Sequence, residues 1–385
     1  MHPTLHPRFL NSPFEDPCLY IQFLFENYSI LFDLGDIARL PSRDILKISH
    51  IFVSHTHMDH FLGFDRVLRL CLGRDKILHL YGPAGFLKNV EGKLSGYSWN
   101  LVTHYNKSLI LNVTEIHHHR MITRSYDCKN RFIPIEPSTE KPFQVDVVHR
   151  PGWTVSATVL DHGIPCLAFS IAEKFHINIK KDRIEALGLT VGPWITAFKQ
   201  AILSGKDSNS IFRIDDHRQP GIFFSYPLGK LCQNIASITP GQKITYITDV
   251  AYNDANTEKI VNIARNSDQL FIEAAFMETH RDLAAQKYHL TACQAGTLAA
   301  MARAKHFTIF HHSPRYIGQE ALLNTEAHQA CHNYLKRLHS THECGSEYAV
   351  NVDQAGMLRM LSSETEEDQH LFAICNCSKT IDIKN

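Results

Sequence analysis

Four short runs of apolar and β-branched residues, far apart along the chain, each end in a histidine or an aspartate. Ile51-Phe52-Val53 leads to His55, and Val155-Ser156-Ala157-Thr158-Val159-Leu160 leads to Asp161-His162. Ile244-Thr245-Tyr246-Ile247-Thr248 leads to Asp249, and Phe307-Thr308-Ile309-Phe310 leads to His311-His312. Runs of this length and composition predict β-strands. Elsewhere the apolar period lengthens to three and four. Phe61, Phe64, Leu68 and Cys71 fall on one face of a helix predicted over residues 61–72. Residues 258–266 and 290–304 also predict helices, the second rich in alanine and suited to close packing. Residues 20–25 and 29–32 predict a hairpin, and residues 79–81 a strand that turns through Gly82-Pro83-Ala84-Gly85 into another helix. Residues 97–150 alternate short β-like runs with polar turns, and the Pro-rich residues 1–20 predict an extended arm. No repeat of fixed short period is visible.

The polar residues that follow the strands carry the chemistry. His55-Thr56-His57-Met58-Asp59-His60 places three imidazoles and a carboxylate in six residues, directly after a strand. These ligand types suit a borderline cation such as Zn²⁺. Extended backbone points alternate side chains the same way, so His55, His57 and Asp59 can face one pocket, and a turn into the next helix brings His60 to them. Four ligands are too many for one open catalytic metal, so the spacing predicts two metals sharing a site. His162, Asp249 and His311 are each a weak signal alone, because a lone His or Asp after a strand is commonly a turn residue. Together they give the layout of a site on loops above the carboxyl ends of strands. His117-His118-His119-Arg120 reads instead as an exposed polar strand end.

Composition sets outer bounds. Of 385 residues, 44% are apolar and 20% charged, with no net charge, which is ordinary for a globular protein with a large core. No apolar run is long enough for a membrane span and the first residues do not read as a signal peptide, so the expectation is a cytoplasmic protein without a membrane partner. The ten cysteines are scattered, and Cys71, Cys166 and Cys293 sit in apolar runs as small hydrophobes. Cys331, Cys344 and Cys375-Asn376-Cys377 fit no pair of zinc-knuckle arms. Residues 174–206 hold six basic residues against two acidic ones, a local surplus of four in a neutral chain.

With these motifs in place, the chain resembles the metallo-β-lactamase fold and, within it, the ribonuclease Z group, which processes the 3′ end of tRNA precursors. The resemblance spans roughly residues 30 to 317. It rests on the ligand loop together with Leu31-Phe32-Asp33-Leu34-Gly35, Leu160-Asp161-His162-Gly163-Ile164-Pro165, Ile272-Glu273-Ala274-Ala275-Phe276, His289-Leu290-Thr291 and His311-His312-Ser313-Pro314-Arg315-Tyr316. The last matches a His-Phe-Ser-x-Arg-Tyr signature with His312 in the Phe position. The implied fold is α/β, an αβ/βα four-layer sandwich of two mixed β-sheets. The implied organisation is one domain over residues 1–385 with a basic arm inserted at about 174–238. Leu187-Gly188-Leu189-Thr190-Val191-Gly192-Pro193-Trp194 resembles the Gly-Pro segment of the family's substrate arm, which makes Gly192 and Pro193 candidate RNA-binding residues.

The resemblance also assigns roles. His55, His57 and His162 would hold one Zn²⁺, and Asp59, His60 and His311 the other. Asp249 would bridge them, with Mn²⁺ or Fe as alternative metals. A metal-bound hydroxide, formed because zinc lowers the pKa of water to about 7, would attack the phosphodiester with Asp59 orienting it. His289, held by Glu273, would protonate the departing sugar oxygen. Arg315 would bind a substrate phosphate, and Asp33 would fix a ligating imidazole from behind. The expected activity is a zinc-dependent endoribonuclease acting on the 3′ trailers of tRNA precursors, as a monomer or homodimer. The alternative is a hydrolase of a small ester such as a cyclic nucleotide phosphodiesterase. The chain departs from the family pattern at Asp36-Ile37-Ala38-Arg39, where the family has Glu-Gly-Thr-Gln. It departs again at Pro7-Arg8-Phe9-Leu10-Asn11-Ser12-Pro13, where a Gly-rich strand is usual, and at Ala275, where Thr is usual.

Overall fold

A computed structural model describes residues 4–24, 26–215, 221, 223–342, 351–352 and 358–359. Strands β1 (Leu5–Phe9), β2 (Leu19–Phe23) and β3 (Ser29–Phe32) pair antiparallel. Helix α1 (Ser42–Ile45) leads to β4 (Ile48–Phe52), which lies parallel to β3. Then come α2 (Met58–Phe61), α3 (Phe64–Cys71), β5 (Lys76–Pro83), α4 (Phe86–Ser95) and β6 (Leu109–Ile116), with β4, β5 and β6 mutually parallel in succession. An antiparallel meander of β7 (Arg120–Asp127) and β8 (Pro134–Pro142) completes a mixed sheet of eight strands in chain order.

The chain continues through β9 (Asp146–His149), β10 (Trp153–Asp161), β11 (Pro165–Glu173), β12 (Phe175–Ile179), α5 (Lys181–Ala186) and α6 (Trp194–Leu203). Next are β13 (Ile211–Asp215), β14 (Phe223–Pro227), α7 (Leu228–Ile235) and β15 (Ala236–Pro240). After these come β16 (Lys243–Ile247), α8 (Asp254–Ala264), β17 (Gln269–Glu273), α9 (Arg281–Gln286), α10 (Ala292–Met301), β18 (Phe307–Phe310) and α11 (Glu320–His342). The second mixed sheet runs β18-β17-β16-β11-β10-β9, with β16, β17 and β18 parallel. The described chain divides into two compact units. One comprises Leu5–Val145, Ala157–Ser170 and the residues from Ile244 onward; the other comprises Asp146–Ser156 and Ile171–Lys243.

In the larger unit the period-two alternation of the strands sorts side chains into layers. On β4, Ile51 faces a helix-covered core with Phe64, Val67, Leu68, Val90 and Leu94. Its neighbour Phe52 faces the other way, 5.4 Å from Phe169 of the second sheet. Phe32 stacks on Phe169 at 5.6 Å and on Tyr246 at 5.8 Å, so aromatic rings fill the space between the sheets. On the far side Ile247, Ile272 and Ile309 pack with Ile260, Ile263, Ala295 and Leu298 of α8 and α10. The layers are helices, sheet, sheet, helices, which is the four-layer sandwich expected. The alanine-rich α10 allows close packing: a Cβ on Gly296 would stand 1.9 Å from the Ala327 carbonyl oxygen of α11.

Three expectations change. The arm expected over residues 1–20 contains β1, an edge strand paired to β2 from Leu5 to Phe9. The helix expected over 61–72 breaks at Leu62-Gly63, where Gly63 N donates out of the helix to the Leu34 carbonyl at 2.8 Å and a Cβ at Gly63 would lie 2.5 Å from the Gly35 carbonyl oxygen. Cys71 and Cys166 are buried, but Cys293 is only half-buried in the first turn of α10. Cys331 is buried beside Ala300 and Leu335, while Cys344, Cys375 and Cys377 lie outside the described residues. His117–His119 form the tight turn between β6 and β7, closed by His117 N donating to the Arg120 carbonyl at 2.8 Å.

The smaller unit has its own core, with Ile177, Ile184, Trp194, Phe198, Leu231 and Ile235 buried together. Strand β12 pairs with β15, and β13 with β14, each antiparallel. Gly192 and Pro193 stand at the start of α6, where Trp194 Nε1 donates to the Thr190 carbonyl at 2.7 Å. Lys174, Lys180, Lys181, Arg183 and Lys206 are exposed. No described helix is long and apolar enough to cross a membrane.

Candidate metal centre

The larger unit gathers donors from four strand ends. The carboxyl end of β4 and the turn into α2 carry His55, His57, Asp59 and His60; the end of β10 carries His162; the ends of β16 and β18 carry Asp249 and His311. Ligand atoms of His55, His57, His162 and Asp249 lie within 4.8 Å of one another, as do those of Asp59, His60 and His311. Asp249 faces both groups with different oxygens. Its Oδ2 is 3.6 Å from His55 Nε2 and 3.4 Å from His162 Nε2. Its Oδ1 is 3.5 Å from His60 Nε2 and 3.2 Å from His311 Nδ1. A carboxylate so placed can bridge two cations.

In His55, His60 and His162 the outer imidazole nitrogen is tied down, which fixes which nitrogen of each ring faces inward. His162 Nδ1 is 2.8 Å from the Tyr288 carbonyl, so it donates there and leaves Nε2 free. His55 Nδ1 is 3.0 Å from Ser54 Oγ. His60 Nδ1 donates to Asp33 Oδ2 at 2.8 Å. That carboxylate also accepts from Ser54 N at 2.7 Å, Ser54 Oγ at 2.9 Å and Tyr246 OH at 2.8 Å. Asp33 is wholly buried and has φ +56°, and His311 has φ +60°; both are strand-end residues held in the left-handed region by the bonds around them.

The electrostatics are those of a crowded, partly dry site. Burial and the neighbouring His60 push the His55 pKa down to about 2. Burial works against ionisation of Asp59 and Asp249, but the surrounding imidazoles outweigh it and hold both carboxyls below their usual range. His60 Nε2 and His311 Nδ1 are buried without a hydrogen-bond partner, although carboxylate oxygens lie 3.2 to 3.5 Å away. Atoms that approach so closely without donor–acceptor alignment are facing a common point. That orphaned pair, and an all-N/O donor set with two groups sharing one carboxylate, fit a pair of divalent cations.

Beside the cluster, His289 Nδ1 sits 3.2 Å from both carboxylate oxygens of Glu273. Glu273 is fully buried, and its Oε1 also accepts from Val250 N at 2.9 Å and Leu290 N at 3.3 Å. Burial lowers the pKa of His289, but the Glu273 charge and hydrogen bond prevail and push it up to about 9. Arg315 lies on an exposed turn with its guanidinium 5.7 Å from the Phe276 ring. Gly192 and Pro193 belong to the smaller unit. Sequence reasoning missed Ser54, Tyr246 and the Tyr288 carbonyl. Ser54, adjacent to the ligand loop, was the one with a local signal.

No protein-family model matches the chain. Among curated proteins it is similar to ribonuclease Z of Deinococcus radiodurans, 27% identical over 290 residues covering 74% of this chain and 83% of that protein. It is also similar to ribonuclease Z of Nanoarchaeum equitans, 27% identical over 313 residues with 78% and 81% covered. For ribonuclease Z of Anoxybacillus flavithermus the identity is 29% over 276 residues, with 71% and 72% covered. Among solved structures it is similar to human short-form tRNase Z, with 17% identity and a TM-score of 0.47 over 81% of this chain and 93% of that one.

Proposed function

We propose that this protein is a metal-dependent endoribonuclease of the ribonuclease Z kind, cleaving the 3′ trailer from tRNA precursors. The observation that carries it is the two-sided Asp249, which joins both donor groups beside a Glu273-held imidazole, in a chain similar over three quarters of its length to proteins named ribonuclease Z. His55, His57 and His162 would hold one Zn²⁺, Asp59, His60 and His311 the other, with Asp249 between them. When bound, such a pair supplies Lewis acidity to the phosphodiester and lowers the pKa of a water at neutral pH.

The chain's own residues do the rest. Asp33, Ser54 and the Tyr288 carbonyl fix the rings of His60, His55 and His162, so that the inward nitrogen of each can present a lone pair. Asp59, whose Oδ2 is 3.2 Å from His60 Nε2 and from His311 Nε2, is half-exposed and can orient an attacking water by accepting a hydrogen bond from it. Glu273 keeps the His289 proton on Nδ1, leaving Nε2–H to donate to the departing sugar oxygen. The exposed lysines and arginine of the smaller unit supply sequence-independent attraction to RNA backbone.

The test offers zinc-loaded protein a tRNA precursor with a 3′ trailer and an aryl phosphodiester side by side. Endonucleolytic release of an intact trailer supports the proposal. Hydrolysis of the small diester with no cleavage of the precursor would refute it in favour of a small-ester hydrolase.

A further inference from the structure

Two loops of the larger unit, residues 96–108 and 128–133, hold Lys107, Lys129 and Arg131 and no acidic residue, in a chain without net charge. The loops are joined. Lys129 Nζ donates to the Asn106 carbonyl at 3.1 Å, and Leu109 N donates to Cys128 Sγ at 3.2 Å. Trp99 stands edge-on to Phe132 with ring centroids 4.8 Å apart, and Tyr97 stands edge-on to Trp99 at 5.8 Å. The first loop enters β6 at its amino end, and β6 runs parallel, through β5, to β4, whose carboxyl end carries the metal ligands. At ~3.3 Å per residue the eight residues of β6 span roughly 26 Å, which sets these loops well away from the metal centre.

The surface they form is apolar as well as basic. Leu101 is 61% exposed, Ile133 56% and Tyr97 47%. Scattered exposed apolar residues are ordinary, whereas three on two joined loops mark a contact surface. Arg131 and Phe132 both have positive φ, +54° and +56°, in a turn that buries the Phe132 ring and leaves Arg131 exposed. Neither Lys107 nor Arg131 has a carboxylate partner among the described residues. Two bordering carboxylates are already engaged: Asp127 accepts from Ser108 Oγ and Lys129 N, and Asp65 pairs with Lys93 at 2.9 Å. On the adjoining turn Arg74 and Asp75 cancel. The positive surplus therefore stands.

A second copy of this chain fits poorly, because a two-fold contact would set the same three cations against one another. An anionic partner with flat, unpaired rings fits well. RNA phosphates answer Lys107, Lys129 and Arg131, and an unstacked base can lie on the exposed Tyr97 ring. The exposed amides of Asn100, Asn106 and Asn130 offer donors and acceptors to base edges. We propose that this surface docks single-stranded RNA, in addition to the metal centre and to the lysines of the smaller unit. The choice of RNA as the anion rests on the ribonuclease function proposed above; the charge and exposure of the surface do not.

The test measures, by anisotropy, binding of a fluorescent single-stranded RNA without tRNA-like structure to zinc-loaded, full-length protein. It is run in the parent and in a background where Lys174, Lys180, Lys181 and Lys206 are Gln. In that background Tyr97→Ala should weaken binding by about 5- to 150-fold, the range of one lost base stack. Lys107→Gln combined with Arg131→Gln should lower the log–log salt slope by about 0.7 for each lost phosphate contact, and serves should Tyr97→Ala fail to fold. Unchanged affinity and slope in both variants overturn the docking surface. So does a result in which these residues are needed to bind phosphatidylserine–phosphatidylcholine vesicles but not RNA. Cleavage of a tRNA precursor, assayed in parallel, reports on the ribonuclease function separately: a parent that cuts the precursor while the variants bind RNA as it does loses only this surface.

Discussion

Asp33→Asn tests how the buried carboxylate behind the site governs what happens in front of it. The native carboxylate accepts four hydrogen bonds, one on Oδ1 from Ser54 N and three on Oδ2 from Ser54 Oγ, His60 Nδ1 and Tyr246 OH. Asparagine can keep the first acceptor but sets an amide opposite the other three groups. The Ser54 and Tyr246 hydroxyls can rotate to offer lone pairs. The imidazole can do so only by moving its proton from Nδ1 to Nε2, the nitrogen that faces Asp59 and Asp249. Trading charge-assisted bonds for neutral ones should cost about 2–4 kcal/mol of folding stability. The tautomer shift should weaken cation binding at the His60 group by about 10–100-fold. Metal-free protein titrated with Zn²⁺ against a chromogenic chelator resolves two affinities. The expected result is a weakened second site beside a nearly unchanged first site, built on His55, His57 and His162. Equal weakening of both sites, or none in a folded variant, would refute the argument.

Three other outcomes follow from the same geometry. His289→Ala should retain its metals yet lose about 10²–10⁴-fold in turnover on RNA, with a much smaller loss on an aryl phosphodiester whose leaving group hardly needs a proton; equal losses would remove the proton-donor role. Asp249→Ala should cost both cations, so elemental analysis of the variant should fall well below the roughly two ions per chain expected of the parent. Replacing exposed Lys174, Lys180, Lys181 and Lys206 by Gln should weaken RNA binding and flatten its salt dependence by about 0.7–0.9 per lost phosphate contact; an unchanged slope would place the RNA path elsewhere.

The ligand loop was legible because its four donors are contiguous and its strand is strongly apolar. His162, Asp249 and His311 became visible once the strand ends were lined up. What sits behind and beside them was not. The partners of Asp33 meet it from positions 54, 60 and 246, a convergence with no period or local pattern in the chain. Phe14 and Asp16 lie in the Pro-rich stretch expected to form an extended arm, and nothing in its composition brings them beside Asp59. The break at Gly63 coincides with a backbone bond to Leu34, which no helical periodicity encodes. Short-range chemistry could be read from the sequence; contacts between remote segments required coordinates.

Asp59 and His311 meet at 3.2 Å although 252 residues separate them in the chain. During synthesis, the His-x-His-x-Asp-His segment emerges long before the last strand that completes its surroundings. It can offer a passing ion only loose, exchangeable contacts until the loop between them closes. Tight capture of the second ion is therefore a late event, and a chain cut between Asp249 and His311 and separated into its halves loses His311 from that donor group while the first group stays on one piece. Retention of the ions under a strong chelator then becomes a certificate of completed folding, usable in crude extracts before any substrate is known.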